Sequence, residues 1–420
     1  MAGAKNQHAA AAAPARHASA AEPTDLKDQG IMRDIDLWAA SRARAHTVLD
    51  RCSSSSVCLR LRSGAVLAAL EHALALVDAD DAPSSWLLLA QAHLAMGSVS
   101  AVRSACVAAA ARGADIAQFS SELNTYLETW IDHPARLGFL FPEGAHREGR
   151  GERHSRLAAR GLRHDGCYAA TPAVSIAWSI FLDRGATGVP RGVVLYFHGN
   201  GENADFLQPL AHQFHQMALA LMVVEFRGYG NSSRATPLLS TLCTDAEPLV
   251  LSDALDEALR QASLPKATPV ICFGRSLGGH VAVHIAAIGG SLFANRVRPC
   301  ALVLDSATAS VRNWTRVAPP GSKAQGPPIP GGVSMVGLLE NMQKLSGMTV
   351  PLLVLHGSAD AIVPPFQAKL LYDASAAPED SKHLLLFPGC GHNDLAHHPK
   401  YWPSVARFVE GTLAPLTQGR

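Results

Sequence analysis

Hydrophobic and polar positions change their spacing part-way along the chain, near residue 167. Between residues 31 and 131, apolar residues recur at intervals of three and four, which is the spacing of one helix face. After residue 167, short apolar runs that suit strands alternate with helical stretches. This alternation predicts an α/β fold, a doubly wound and mostly parallel sheet, preceded by a smaller α-helical region.

The pattern divides the chain into four predicted segments. They are a disordered tail over residues 1–30, an α-helical region over 31–131, a charged linker over 132–166 and an α/β domain over 167–417. Strands are predicted in the last segment over 174–182, 191–199, 220–226, 269–273, 300–304, 351–356 and 383–387. The runs 220–226, 269–273 and 300–304 are largely apolar, as is typical of a sheet buried on both faces.

The helical region contains a predicted pair of helices joined at Gly97. Its apolar spacing over residues 84–115 is similar to a tetratricopeptide repeat, and the similarity covers about one and a half repeats. Because about three such repeats are needed to stand alone, we expect this region to pack against the domain that follows. Binding of a partner protein by these helices and simple packing or oligomer contact are both open.

Composition and charge exclude several classes of protein. Near-equal numbers of Lys+Arg (36) and Asp+Glu (35) argue against a nucleic-acid binder, which needs a basic excess. Apolar runs stay shorter than the ~18 residues of a membrane-spanning helix. The first 25 residues have no apolar core of a secretory signal, so we expect a cytoplasmic protein, with an organelle transit peptide as the alternative.

The sharpest chemical signal is the segment Gly274-Arg275-Ser276-Leu277-Gly278. It follows a predicted strand and precedes the predicted helix 278–290, which is the context that G-x-S-x-G requires to present a nucleophilic serine. The serine must occupy a tight turn, and glycines on either side avoid steric collisions there. We therefore predict Ser276 as a nucleophile.

A nucleophilic serine needs a base and a carboxylate that orients it. His392 follows the last predicted strand, and Asp360 follows the strand before it, so both are expected at the same sheet edge as Ser276. The order Ser276, Asp360, His392 suits a Ser-Asp-His triad. Asp305 is an alternative acid, whereas Asp394 is interpreted as a residue that orders its loop.

An oxyanion hole needs two backbone N–H donors. Leu277, directly after the serine, is predicted to supply one. Asn200, in the glycine-containing loop after the strand 191–199, is predicted to supply the other, with Gly201 as the next choice. We interpret His198 in this loop as structural.

Five segments together resemble the motif series of the α/β-hydrolase superfamily: HGNGEN (198–203), EFRGYGNS (225–232), GRSLGG (274–279), LHGSADAIVP (355–364) and GCGHNDL (389–395). They are similar to the serine-hydrolase branch that contains protein depalmitoylases. The resemblance implies hydrolysis of an ester or thioester through an acyl-enzyme, on a small-molecule or acyl-protein substrate. A peptidase or amide hydrolase and a scaffold protein are the alternatives.

Other features are given structural interpretations. Arg227 and Tyr229 are expected to fix their own loop, and the Pro/Gly-rich segment 317–332 is expected to form a short, loop-like cap. His280 and His284 have the i, i+4 spacing of zinc ligands but lack the glutamate of H-E-x-x-H, so we predict no metal. No dinucleotide fingerprint is present, and we predict no cofactor.

Overall fold

The computed structural model describes residues 66–141, 160, 162–183, 188–290, 299–310 and 339–418. The predicted tail over residues 1–30 lies outside the described residues, as does the predicted cap segment 317–332. The predicted helical region is described from residue 66 onward.

The described residues contain one eight-stranded sheet, with the strand order β1-β2-β4-β3-β5-β6-β7-β8. The two pairings that involve β2 are antiparallel, and all others are parallel. The strands are β1 (Arg163–Thr171), β2 (Val174–Phe181), β3 (Gly192–Phe197), β4 (Leu219–Val224), β5 (Val270–Arg275), β6 (Ala301–Asp305), β7 (Leu352–Gly357) and β8 (Lys382–Phe387). The predicted doubly wound, mostly parallel sheet is confirmed.

Helices precede the sheet and alternate with its strands. The helical region contains α1 (Val66–Ala79), α2 (Pro83–Met96), α3 (Val99–Ala111), α4 (Ala117–Tyr126) and α5 (Pro134–Leu140). Among the strands lie α6 (Ala204–Leu207), α7 (Ala211–His215), α8 (Pro248–Leu251), α9 (Ala254–Gln261), α10 (Gly278–Gly289), α11 (Asn341–Leu345), α12 (Phe366–Ala374) and α13 (Tyr401–Gln418). The parallel strands therefore form the sheet, and the longer helices pack in layers against it.

The sheet interior explains why the apolar runs fold as strands. Every residue of β3, β4, β6 and β7 is buried. On one face, Tyr196 stacks on Phe273 with ring centroids 4.9 Å apart, and Phe214 of α7 meets both rings edge-on. Burial of whole strands removes a large apolar area from water, which is the main favourable contribution to this packing.

Strand β1 begins in the segment predicted as a linker and ends in the predicted α/β domain, and this strand was not predicted. Its sequence, RHDGCYAAT, has no apolar stripe, because β1 is an edge strand that pairs only with β2. Gly166 lies opposite Trp178, and a Cβ on Gly166 would fall 2.3 Å from the indole ring. This packing of a tryptophan over a glycine depends on a neighbouring strand, so the local pattern gave no sign of it.

The predicted helix pair is present as α2 and α3, with Gly97 between them in the left-handed region at φ 80°. Glycine adopts this conformation without the steric cost that other residues bear. Ser98, at the beginning of α3, donates a hydrogen bond of 2.6 Å to Glu247 beside α8. Asp132 accepts hydrogen bonds from the backbone N–H and the hydroxyl of Ser240. Buried polar contacts thus join the helical region to the α/β sheet layer.

Candidate active site

Ser276 occupies a strained turn between β5 and α10. Its φ of 51° lies in the left-handed region, which is uncommon for residues other than glycine. The turn is held by a 2.8 Å hydrogen bond that the Ser276 N–H donates to the carbonyl oxygen of Asp305. The serine is half-buried, so its hydroxyl lies at the edge of the sheet and not inside it.

The two glycines of the motif lie where no side chain fits. A Cβ on Gly278 would fall 2.1 Å from the carbonyl oxygen of Phe197. A Cβ on Gly274 would fall 2.6 Å from the Cβ of Ala282. Because real Cβ atoms do not approach so closely, glycine at both positions lets α10 pack directly against β3 and β5.

The structure brings Ser276, His392 and Asp360 together in one chain of hydrogen bonds. The Ser276 hydroxyl donates to His392 Nε2 at 2.9 Å, and His392 Nδ1–H donates to Asp360 Oδ2 at 2.7 Å. Asp360 follows β7 and His392 follows β8, so the three side chains meet at the carboxyl edge of the sheet. These distances are those of a nucleophile, a base and a group that orients the base.

Asp360 is held as a carboxylate by its surroundings. Burial by itself would raise the pKa of Asp360, but hydrogen bonds from His356 and His392 outweigh burial and hold the pKa well below its ordinary value. Its other oxygen, Oδ1, accepts the backbone N–H groups of Ile362 and Val363 at 2.9 and 2.8 Å. The Asp360 side chain is fully buried, so its charge is directed at His392 rather than at water.

His356 was missed by the sequence analysis. This fully buried residue near the end of β7 places Nε2 3.3 Å from Asp360 Oδ2 and 2.8 Å from the carbonyl oxygen of Val363. It therefore supports the carboxylate from behind. The signal available in the sequence was its position four residues before Asp360, inside the segment LHGSADAIVP (355–364).

The alternative acid, Asp305, is committed to other partners. Asp305 Oδ2 accepts a 2.7 Å hydrogen bond from the hydroxyl of Tyr401, and Oδ1 accepts one of 2.9 Å from Ser306. Asp394 accepts the Gly391 N–H at 2.7 Å within its own loop. The geometry thus favours Asp360 as the partner of His392.

The two predicted oxyanion donors are the backbone N–H groups of Asn200, in the loop after β3, and of Leu277, directly after Ser276. Within the part of the chain that the structure describes, neither N–H has a hydrogen-bond acceptor. The Asn200 side chain is held by the hydroxyl of Tyr229, which donates to Asn200 Oδ1 at 3.0 Å. Arg227 forms a two-pronged ion pair with Asp245, with contacts of 2.6 and 2.5 Å. Tyr229 and Arg227 therefore fix the loops around the serine.

His198 is packed inside the protein below this loop. It is fully buried, with its ring 4.1 Å from that of Phe226 and its Nε2 3.2 Å from Glu225 Oε2. His198 therefore acts as a structural support of the Asn200 loop.

The two histidines with zinc-like spacing do not face a common space. His280 lies 2.6 Å from the hydroxyl of Thr308, and burial lowers its pKa to about 3. His284 contacts Glu247 and Lys344. Across the described ranges, no group of three or more His, Cys, Asp or Glu side chains is arranged to hold a metal ion. The helices of the described residues also include none with the length and apolarity for crossing a membrane.

Comparison with known proteins finds a similar family. The family described as serine aminopeptidase, S33, matches residues 188–325, which include the Asn200 loop and the Ser276 turn. The sheet order and the serine turn agree with that match. Over these residues the chain is similar to α/β-hydrolases. Asp360 and His392 lie beyond the matched residues.

Curated proteins that are similar to this chain come from several kingdoms. Protein bem46 of Schizosaccharomyces pombe is 28% identical over 228 residues, which cover 52% of this chain and 67% of bem46. Alpha/beta hydrolase domain-containing protein WAV2 of Arabidopsis thaliana is 28% identical over 230 residues, which cover 52% of this chain and 69% of WAV2. Among solved structures, TT1662 from Thermus thermophilus is 21% identical, with a TM-score of 0.40 over 60% of this chain and 98% of TT1662.

Proposed function

We propose that this α/β-hydrolase cleaves a carboxylic ester or thioester through an acyl-enzyme on Ser276. The observation that carries the proposal is the continuous chain of hydrogen bonds from Ser276 through His392 to Asp360. The chain begins at a half-buried hydroxyl in a strained turn and ends at a fully buried carboxylate. A hydroxyl is a weak nucleophile at neutral pH, and an adjacent, oriented base removes that limitation.

In the first half of the reaction, the Ser276 oxygen attacks the acyl carbonyl carbon while its proton passes to His392 Nε2. The carbonyl oxygen becomes an oxyanion, which accepts hydrogen bonds from the Asn200 and Leu277 N–H groups. The tetrahedral intermediate then expels the alcohol or thiol, which takes the proton from His392 Nε2. Asp360 keeps the Nδ1–H bond throughout, so it stabilises the imidazolium without itself accepting the proton.

In the second half, water replaces the leaving group. His392 removes a proton from the water as its oxygen attacks the acyl carbon of the ester on Ser276. The same two N–H groups hold the second oxyanion. Collapse of this intermediate releases a carboxylic acid and returns the proton from His392 to the Ser276 oxygen. No metal or cofactor takes part in either half.

The substrate class follows from the resemblance to the branch that contains protein depalmitoylases. We propose an acyl ester or acyl thioester, carried by a small molecule or by a protein, as the substrate. The helical region is the surface through which a protein partner would be held, and we propose the cytoplasm as its compartment.

A peptidase is the second candidate function. The matching family is described as a serine aminopeptidase, which favours cleavage of an amide bond at the same serine. The chemistry differs only in the leaving group, because an amine must be protonated by His392 before it departs. Substrate comparison therefore separates the two functions.

The test is labelling of the purified full chain with a fluorophosphonate probe, which reacts with activated serines. We expect labelling of the wild type at Ser276, its loss in Ser276→Ala and its reduction to a slow residual rate in His392→Ala. Acyl chains of increasing length on p-nitrophenyl esters and thioesters, together with aminoacyl and peptidyl amides, then identify the substrate class. Folded wild type that is not labelled, or a Ser276→Ala variant that hydrolyses esters at the wild-type rate, would contradict the proposal.

A further inference from the structure

The side chain of Arg275 joins the loop that carries Asn200 to the loop that carries His392. Arg275 is the last residue of β5 and directly precedes the serine. Its Nη1 donates to Glu202 Oε1 at 2.7 Å, on the loop that carries Asn200. Its Nη2 donates to the main-chain oxygen of His392 at 3.1 Å and to Asn393 Oδ1 at 2.8 Å.

Glu202 completes the connection on the Asn200 side. Glu202 Oε2 accepts the backbone N–H of Gly199 at 2.7 Å, so one carboxylate bridges the guanidinium and the loop backbone. The Arg275 and Glu202 side chains are only 15% and 11% exposed. The positive charge on Arg275 is retained, since the charges of Glu202 and Asp305 outweigh burial and raise its pKa above the ordinary value.

Gly199 explains how the ion pair fits beside the loop. A Cβ on Gly199 would fall 2.7 Å from Arg275 Nη1 and 3.1 Å from Glu202 Oε2. Any larger residue would push the guanidinium away from the backbone. The glycine of the HGNGEN segment thus makes room for this contact.

The His392 loop needs such a support. Two of the three residues before His392 are glycines, and Gly389 has a φ of 73°. Glycine leaves the backbone many conformations, so the sequence by itself does not hold the imidazole at one distance from Ser276. A displacement of about 1 Å from the reactive geometry can slow a reaction by about 100-fold.

We propose that Arg275 is a positioning residue that holds the His392 loop against Ser276, with Glu202 as its anchor. This inference rests on the proposed function, because it assigns Arg275 a role through His392. A planar guanidinium directs separate N–H groups to two loops, whereas the single ammonium of lysine does not reproduce that fork. Arg275→Lys therefore keeps the charge and removes the connection.

The experiment measures the second-order rate constant of fluorophosphonate labelling and the melting temperature of the full chain. We expect Arg275→Lys to lower the rate constant by about 10- to 100-fold, as loss of alignment predicts. Arg163→Lys is the matched control, because Arg163 is also a buried arginine between two carboxylates, Asp165 and Asp205, but lies on the edge strand β1. Arg163→Lys should label within about twofold of the wild type.

A double-mutant cycle separates positioning from general destabilisation. If Arg275 acts through His392, Arg275→Lys should change the residual labelling of a His392→Ala variant by less than about threefold. Asn393→Ala, a change at an exposed position that leaves the fold intact, should slow labelling in the same direction by a smaller factor.

Two results would overturn the inference. One is an Arg275→Lys variant that is labelled at the wild-type rate, and the other is an equal loss of rate with and without His392. In both cases, labelling of the wild type at Ser276 would still stand. Absence of wild-type labelling would instead contradict the proposed function itself.

Discussion

Two regions of the molecule contain a carboxylate, a histidine and a third polar group in a row. At the sheet edge, Asp360 and His392 lead to the Ser276 hydroxyl. Beneath the helical region, Glu247 Oε1 lies 2.9 Å from His284 Nε2, and Lys344 Nζ lies 3.1 Å from His284 Nδ1. The two rows share the same order of groups, but only the first ends at a half-buried hydroxyl.

The groups of the second row are buried and bonded to one another or to Ser98. Ser98 of the helical region donates to Glu247, and His284 and Lys344 are fully buried. Burial lowers the pKa of the Lys344 ammonium and of the His284 imidazole below their ordinary values. Burial alone would raise the pKa of Glu247, but hydrogen bonds from His284 and Ser98 outweigh it and lower that pKa.

The difference teaches that a hydrogen-bonded histidine and carboxylate do not by themselves make an active site. The row at Ser276 ends at a half-buried hydroxyl in a strained turn. Within the described residues, the N–H groups of Asn200 and Leu277 have no hydrogen-bond acceptor. The row at Lys344 satisfies its own groups and joins the helical region to α10 and α11. Helix α10 connects both rows, since it begins two residues after Ser276 and contains His284.

The strongest test of the comparison removes one side chain from each row in turn. Ser276→Ala should reduce turnover by about 10⁴-fold or more, with the free energy of unfolding nearly unchanged, because the reacting atom is lost. His284→Ala should lower the free energy of unfolding by about 3–5 kcal/mol, because Glu247 and Lys344 lose their common partner. Its folded fraction should still be labelled by a fluorophosphonate.

Urea titration and labelling on the same preparations measure both effects. If His284→Ala removed labelling while the protein remained as stable as the wild type, the two rows would not be distinct. A stability loss as large in Ser276→Ala as in His284→Ala would lead to the same conclusion.

A second test concerns the donor at Asn200. Asn200→Pro removes the backbone N–H and should lower kcat by about 10²- to 10³-fold, the usual cost of losing one oxyanion donor. Asn200→Ala keeps the N–H and removes only the bond to Tyr229, so a loss of less than about tenfold is expected. Steady-state kinetics on an activated ester, with circular dichroism to verify folding, compares the two variants. Equal losses in both would exclude the Asn200 N–H as a donor.

A third test concerns the effect of acid on the surroundings of the second row. As the pH falls, groups near Glu247 should take up protons before Asp360 at the sheet edge does. Burial lowers the pKa of His93, a neighbour of Glu247, from 6.5 to about 4. The His93 imidazole therefore binds a proton more readily in the unfolded chain than in the folded chain. The free energy of unfolding thus decreases as the pH falls from 6.5 to about 4. The loss from this residue is up to about 3 kcal/mol.

Urea titrations at several pH values measure this loss. His93→Gln should reduce the dependence of the free energy of unfolding on pH. Asp360→Asn should leave that dependence unchanged, because Asp360 stays ionised throughout this range. If the free energy of unfolding of the wild type does not change between pH 7 and pH 4.5, protonation of His93 does not destabilise the folded chain and the prediction is wrong.

The smallest effect concerns backbone strain at the serine. Ser276→Gly should raise the free energy of unfolding by about 1 kcal/mol, because glycine adopts a positive φ without steric cost. Ser263 has a φ of 55° in an exposed turn and is the matched control. Ser263→Gly should stabilise the protein similarly while leaving the rate of fluorophosphonate labelling unchanged. Thermal melts of both variants test this, and a destabilised Ser276→Gly would show that the turn is not strained.

Much of the fold could be predicted from local pattern. The predicted strands 220–226 and 351–356 differ from β4 and β7 by only one or two residues at each end. They were recognisable because strands buried on both faces are largely apolar. Strand β1 could not be predicted in the same way, since an edge strand needs no apolar face and Gly166 is explained only by Trp178 across the sheet.

The same division holds for the candidate site. Ser276, Asp360 and His392 were recognisable because each follows a predicted strand, and parallel strands end at one edge. Arg275 and Glu202 were not, because each has its partner on another loop and no local pattern encodes a contact across more than 70 residues. His356 was missed although its partner Asp360 lies only four residues away.

The sequence by itself determined the parallel sheet, the turn that presents Ser276 and the order of the three groups that meet there, because these depend on short-range spacing and on glycine at two positions. Only the tertiary structure decided which carboxylate faces His392, which N–H groups lack an acceptor and which of two similar histidine rows is closed. Those properties depend on burial and on distances between loops that are far apart in the chain.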